Sequence, residues 1–149
     1  MKTLLSLKPE ITQNDCFTHL IFPFVVNEDC ARLSISYSDF PKEYEGEDAV
    51  EKAFEAFKEA YGDETITMED VKGELPLKNH VTLSLSKEGK LIGTAHRHAN
   101  EMVVEVGEKL ATVGFNKTPI AKGNYAILLS VHALLSDKVT ANLEVVAYE

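Results

Sequence analysis

In five separate stretches of this chain apolar and polar residues alternate one by one, and that period of two dictates half-buried β-strands. Strand side chains point alternately to opposite faces, so each row marks a face turned toward a core. Ala31, Leu33, Ile35 and Tyr37 alternate with Arg32, Ser34 and Ser36, and Val81, Leu83 and Leu85 with Thr82, Ser84 and Ser86. Met102, Val104 and Val106 form a third row, Tyr125, Ile127, Leu129, Val131 and Ala133 a fourth, and Val139, Ala141, Leu143, Val145 and Ala147 a fifth. The run from Phe17 to Val26 is apolar at both parities, which predicts a central strand covered on both faces. Lys87-Glu88-Gly89-Lys90 reads as a tight turn into a short strand at Leu91–Ala95, and Asn27-Glu28-Asp29 as another turn. Gly107, Gly114 and Gly123 are spaced as turn residues rather than as a phosphate cradle. Six or more short strands punctuated in this way predict an all-β fold, an antiparallel, jelly-roll-like β-sandwich.

One segment departs from that period. Val50, Phe54, Phe57 and Tyr61 recur at helical spacing, with alanines at 49, 53, 56 and 60 beside them. Asp48 and Glu51 supply a variant capping box and Gly62 a stop, so an α-helix is expected at about 49–61. It lies in an acidic stretch, Lys42–Glu74, that holds twelve acidic and four basic residues and so nearly all of the chain's net charge of −9. Residues 42–77 therefore read as a helical insertion in a single β-sandwich domain spanning 1–149.

Charge and composition exclude several function classes. No cluster of Lys and Arg exists to neutralise phosphates, so nucleic acid and anionic membrane are not expected partners. Lys8, Pro9 and Glu10 interrupt the opening Met1–Leu7 before a signal-peptide core can form, and no run approaches a membrane span. A cytoplasmic location follows as the expectation, with Cys16 and Cys30 as thiols rather than a bridge. No G-x-S-x-G, P-loop or dinucleotide fingerprint occurs, and the residues around 61–67 fail the ligand spacing of a calcium-binding EF-hand loop.

Five histidines remain as the side chains able to carry chemistry. His96-Arg97-His98, followed by Asn100, stands at the end of an expected strand and is the candidate ligand-binding group. Two histidines at i and i+2 on a strand share a face and can chelate one divalent metal, with a third ligand from His132, His19 or His80. The alternative is contact with an anion or polar ligand, or hydrogen bonding within a loop. His132 and His19 are expected as hydrogen-bonded, partly buried side chains. No cofactor is implied by any motif.

The order of features resembles the N-terminal β-sandwich domain that precedes the PHP-type phosphoesterase domain in CehA/McbA-like metallohydrolases. Leu7-Lys8-Pro9-Glu10-Ile11-Thr12 with Asp15 and then His19 to Phe24 is similar to its first strands, and Ala31–Tyr37 followed by Pro41 to its second. Asn79–Leu85 and Gly93–His98 resemble the strands flanking its glycine-marked turn. Ala111-Thr112-Val113-Gly114-Phe115 and Pro119–Tyr125 resemble an A-T-P-G-[FY]…G-P-[IL]-x-x-G-x-W stretch, with Val113 in place of Pro and Tyr125 in place of Trp. The likeness implies a fold and an accessory role; the catalytic domain's ligands are not among these residues. The expected function is a noncatalytic ligand-binding or protein-interaction module, working beside a partner such as a separately encoded hydrolase. A small metal-dependent hydrolase or metal-binding protein using His96 and His98 is the second reading. A carbohydrate-binding module is the third; it lacks Trp and would have to stack sugars on Tyr44, Tyr61 or Tyr148. Unpaired edge strands make a homodimer a further expectation.

Overall fold

A computed structural model describes residues 1–40, 43–44, 77–78, 80–95, 101–134 and 138–149. The expected helix at 49–61, and His96, Arg97, His98 and Asn100, lie outside the described residues. Among the described residues eleven strands occur in chain order: β1 (Lys2–Leu7), β2 (Glu10–Thr12), β3 (His19–Val26), β4 (Arg32–Phe40), β5 (Glu43–Tyr44), β6 (Leu77–Lys78), β7 (His80–Lys87), β8 (Lys90–Ala95), β9 (Glu101–Gly107), β10 (Gly123–Ala133) and β11 (Lys138–Tyr148). A short 3₁₀ turn, Gln13–Asp15, follows β2. The two-residue strands β5 and β6 pair with each other, so the two sides of the acidic segment meet at its base.

The long strands form two antiparallel sheets, β1-β11-β4-β9 and β3-β10-β7-β8, with β2 beside one end of β11. Their pairing is nested. The first long strand pairs with the last, β3 with β10, β4 with β9, and the hairpin β7–β8 lies innermost. Rolling such a nested hairpin over itself puts alternate pairs in opposite sheets, which is the jelly-roll arrangement. The antiparallel β-sandwich read from the sequence is thus the observed fold.

The five alternating rows become the core. Leu33, Ile35, Tyr37, Val104, Val106, Val139, Ala141, Leu143 and Val145 of the first sheet are buried, as are Val81, Leu83, Leu85, Tyr125, Ile127, Leu129 and Val131 of the second. Each such Val, Leu or Ile side chain contributes about 1.5–3 kcal/mol by leaving water. Phe24 and Tyr125 stack across β3 and β10 with ring centroids 5.7 Å apart. The β7–β8 turn is a two-residue loop in which Glu88 (φ 51°) and Gly89 (φ 80°) both take positive φ, the backbone that matches strand twist in a tight hairpin. Glu88 tolerates this conformation while its amide and carboxylate brace Asn124 of β10, at 2.9 and 3.0 Å.

One expectation is corrected. The Phe17–Val26 run is not a central strand; β3 forms one edge of the second sheet, with Ile21 and Val25 exposed at 62% and 51%. Pro23 lies within it, and a proline that cannot donate to a ladder belongs on an edge. At the other edge of this sheet β8 is closed by a strap. Ala111 bridges Val106 of β9, and four residues later Phe115 bridges Gly93 of β8, so one short segment ties the two sheets together.

Candidate functional site

Among the described residues, the nested pairing gathers the histidine-bearing strands at one end of the second sheet. β3 begins there at His19, which pairs with Ser130 of β10. β7 begins there at His80, opposite Ala133. β8 finishes there at Ala95, opposite Leu83, and the sequence runs on directly into His96. His132 lies in the last turn of the ladder on β10. These positions are far apart in sequence, and only the antiparallel order β3-β10-β7-β8 brings them to a common rim.

On the outer face of this rim the polar side chains form a cross-strand row. His19 Nδ1 lies 2.7 Å from Ser130 Oγ, and Ser130 in turn pairs with Thr82 in register. His132 Nε2 lies 3.0 Å from Thr82 Oγ1. Ser130 and Thr82 are buried although they face away from the core, whereas both rings are exposed. The expectation that His19 and His132 are partly buried is therefore corrected: both are hydrogen-bonded but open to solvent, standing near the ends of their strands.

The same rim carries a strained aromatic. Phe17 has φ 63° and is 69% exposed, and its amide donates to Val131 O at 2.7 Å. A bulky side chain at positive φ is uncommon and costs energy, and such residues collect at functional sites. Sequence reading had no signal for it beyond an apolar residue at the start of an apolar run.

The arrangement limits the chemistry. Ser130 and His19 make the contact of a serine nucleophile with a base, yet among the described residues no third group orients the ring. Among the described residues no three His, Cys, Asp or Glu side chains converge as a metal set. Burial raises the Cys30 thiol above its usual range, and that thiol donates to Arg32 O at 3.7 Å, so it is poorly suited to nucleophilic attack near neutral pH. Neither cysteine is in a disulfide. Tyr148 is half-buried with the Arg32 guanidinium 4.1 Å from its ring centroid, which leaves no free platform for a sugar there. Among the described residues no helix is long and apolar enough to cross a membrane.

A second surface feature was missed by sequence reading. The outer face of the first sheet carries an open groove of about 360 Å³ lined by Ser6, Lys8, Ser36, Ser38, Glu101, Val103, Asn142 and Glu144, with neighbouring residues of the same strands. The signal was present as S-x-S-x-S over Ser34–Ser38, three small polar residues on the outward parity of a central strand. No protein-family model matches the chain, and no curated protein is significantly similar to it.

Proposed function

We propose that this protein is a noncatalytic binding module, an accessory β-sandwich whose ligand contacts cluster at the histidine-bearing end of the second sheet. One observation carries the reading: His19, His80 and His132 stand on three strands that start or finish at the same rim, and β8 finishes there one residue before His96 in the sequence. Imidazoles at a solvent-exposed rim bind divalent metals and anions, and the exposed Phe17 adds an apolar contact beside them. The sandwich likeness to domains that accompany metallohydrolases favours an accessory role, with a cytoplasmic hydrolase as the kind of protein partner to seek.

A second reading, metal binding by His96, His98 and His132, draws support from the same geometry. β8 ends at Ala95, one residue before His96 in the sequence, and Ala95 pairs with Leu83, the chain neighbour of Thr82, which His132 contacts. The test of both is a thermal-unfolding scan of the metal-stripped full chain with zinc, manganese or calcium added. A ligand that binds only the native state raises the midpoint. The expected result is a rise of several degrees with zinc that His132→Ala and the His96→Ala, His98→Ala pair each abolish. A midpoint indifferent to all three metals would remove the metal reading. Unchanged binding of phosphate and sulfate in the same variants would remove the rim as a ligand site.

A further inference from the structure

We infer that the groove on the outer face of the first sheet is a docking site for an extended basic peptide segment, independent of the histidine rim. The central strand β4 sets small residues on the groove floor, and the neighbouring strands raise the walls. Ser36 pairs on one side with Glu144 of β11 and on the other with Val103 of β9. Ser38 likewise lies between Asn142 and Glu101. Neighbouring strands are about 4.8 Å apart, so the two walls stand roughly 10 Å from each other, the width of a single extended chain.

The three serines of β4 are treated differently. Ser34 is closed off: its hydroxyl donates to Glu105 at 3.1 Å, Arg32 holds the same carboxylate at 3.1 Å, and Ser34 is buried. Ser36 and Ser38 are half-buried, and among the described residues neither side chain makes a hydrogen bond. Asn142, Glu101 and Glu144 are likewise without side-chain partners among the described residues. The Ser34–Glu105–Arg32 cluster thus closes one end of the row and leaves a solvent-accessible polar trough beyond it.

Charge selects the occupant. Two wall carboxylates, Glu101 and Glu144, face one ammonium, Lys8, so the charged side chains lining the groove leave one negative charge in excess. The resulting field attracts cations, and a guanidinium can engage a carboxylate in two parallel hydrogen bonds while its stem packs on Val103. Among the described residues no exposed aromatic lines the groove to stack a sugar, and its open form suits a chain passing through rather than an enclosed small molecule.

The test uses the full chain and a fluorescent Arg-Ser repeat peptide, with an acidic Glu-Ser peptide of equal length as its counterpart. Binding is followed by anisotropy and mapped by amide chemical shifts. The basic peptide is expected to bind, to weaken with added salt, and to shift Ser36, Ser38 and Asn142. Glu101→Gln with Glu144→Gln should weaken it roughly tenfold, the scale expected for losing two exposed ion pairs. Ser38→Leu should block it by filling the floor, while Glu108→Gln, an exposed charge outside the groove, should leave it unchanged. Equal binding of the two peptides, shifts confined to other surfaces, or an equal loss in Glu108→Gln would overturn the inference. So would the absence of binding at millimolar peptide, provided the wild-type chain is folded by its amide spectrum.

Discussion

Replacing Gly93 with alanine adds a single methyl group, and the structure assigns it a large effect. A Cβ at this position would sit 2.4 Å from Gly114 O, 2.5 Å from Phe115 Cα and 2.7 Å from Phe115 Cδ1. Two of those atoms are backbone, so no rotamer change relieves the clash. The strap must move away from β8 by about an ångström to restore van der Waals contact. That motion strains two backbone hydrogen bonds, Thr94 N to Gly114 O and Asn116 N to Ile92 O, both 3.1 Å. Each is worth about 0.5–1.5 kcal/mol. It also lifts Phe115, now only 8% exposed, partly into water, a loss of about 1 kcal/mol if a third to a half of its buried surface returns. Alanine restricts the unfolded chain and returns about 0.4–1 kcal/mol. The net destabilisation is therefore about 1–3.5 kcal/mol. Urea unfolding followed by circular dichroism measures it as a lower midpoint at unchanged slope. Hydrogen exchange should quicken at Thr94 and Asn116 before other strands respond. A variant within about 0.5 kcal/mol of the parent, with both amides still protected, would refute the claim that this approach is tight.

Two further outcomes follow from buried tyrosines. Tyr37→Phe removes the hydroxyl that donates to the buried Asp39 carboxylate at 2.8 Å, and should cost about 1–3 kcal/mol in chemical unfolding. Tyr125 has its phenol pushed up to about 12 by burial, then by the nearby Cys30, Asp29 and Glu88 charges, and burial raises Tyr37 in the same direction. The folded state then holds these protons more tightly than the unfolded chain, whose tyrosines titrate near pH 10. This contribution is fully present below about pH 10 and is lost as the pH climbs toward about 12. Stability measured from pH 8 to 12 should fall in that window and fall less steeply in Tyr125→Phe; an equal slope in the two proteins would count against it.

Much of the fold was legible because burial on one face imprints a period of two on a strand. β4, β7, β9, β10 and β11 carry that imprint over their inward positions. β1 does not, because a register shift between Thr3 and Leu5 leaves both Leu4 and Leu5 half-buried and breaks the alternation. β3 misled through its double apolar parity, although Pro23 held the contrary signal. The candidate sites were less legible for a different reason. His96 and His98 are conspicuous as neighbours in sequence, but the rim that gathers His19, His80 and His132 depends on which strands pair. The groove needs β11 and β9 on either side of β4, three segments that no local pattern connects.

Nested pairing also fixes an order of assembly. The β7–β8 hairpin closes across two residues and can form by itself, but every other pair in the roll waits for a later strand. β3 needs β10, β4 needs β9 and β11, and Lys2 of β1 meets Ala147 of β11. A chain emerging from the ribosome would therefore expose the apolar faces of β1, β3 and β4 until β10 and β11 follow, since those two strands occupy the interior of both sheets. Contacts between distant segments fold slowly and leave strand edges open meanwhile. Nascent chains of this protein should depend on chaperone shielding for most of their synthesis and gain protease resistance in a single late step.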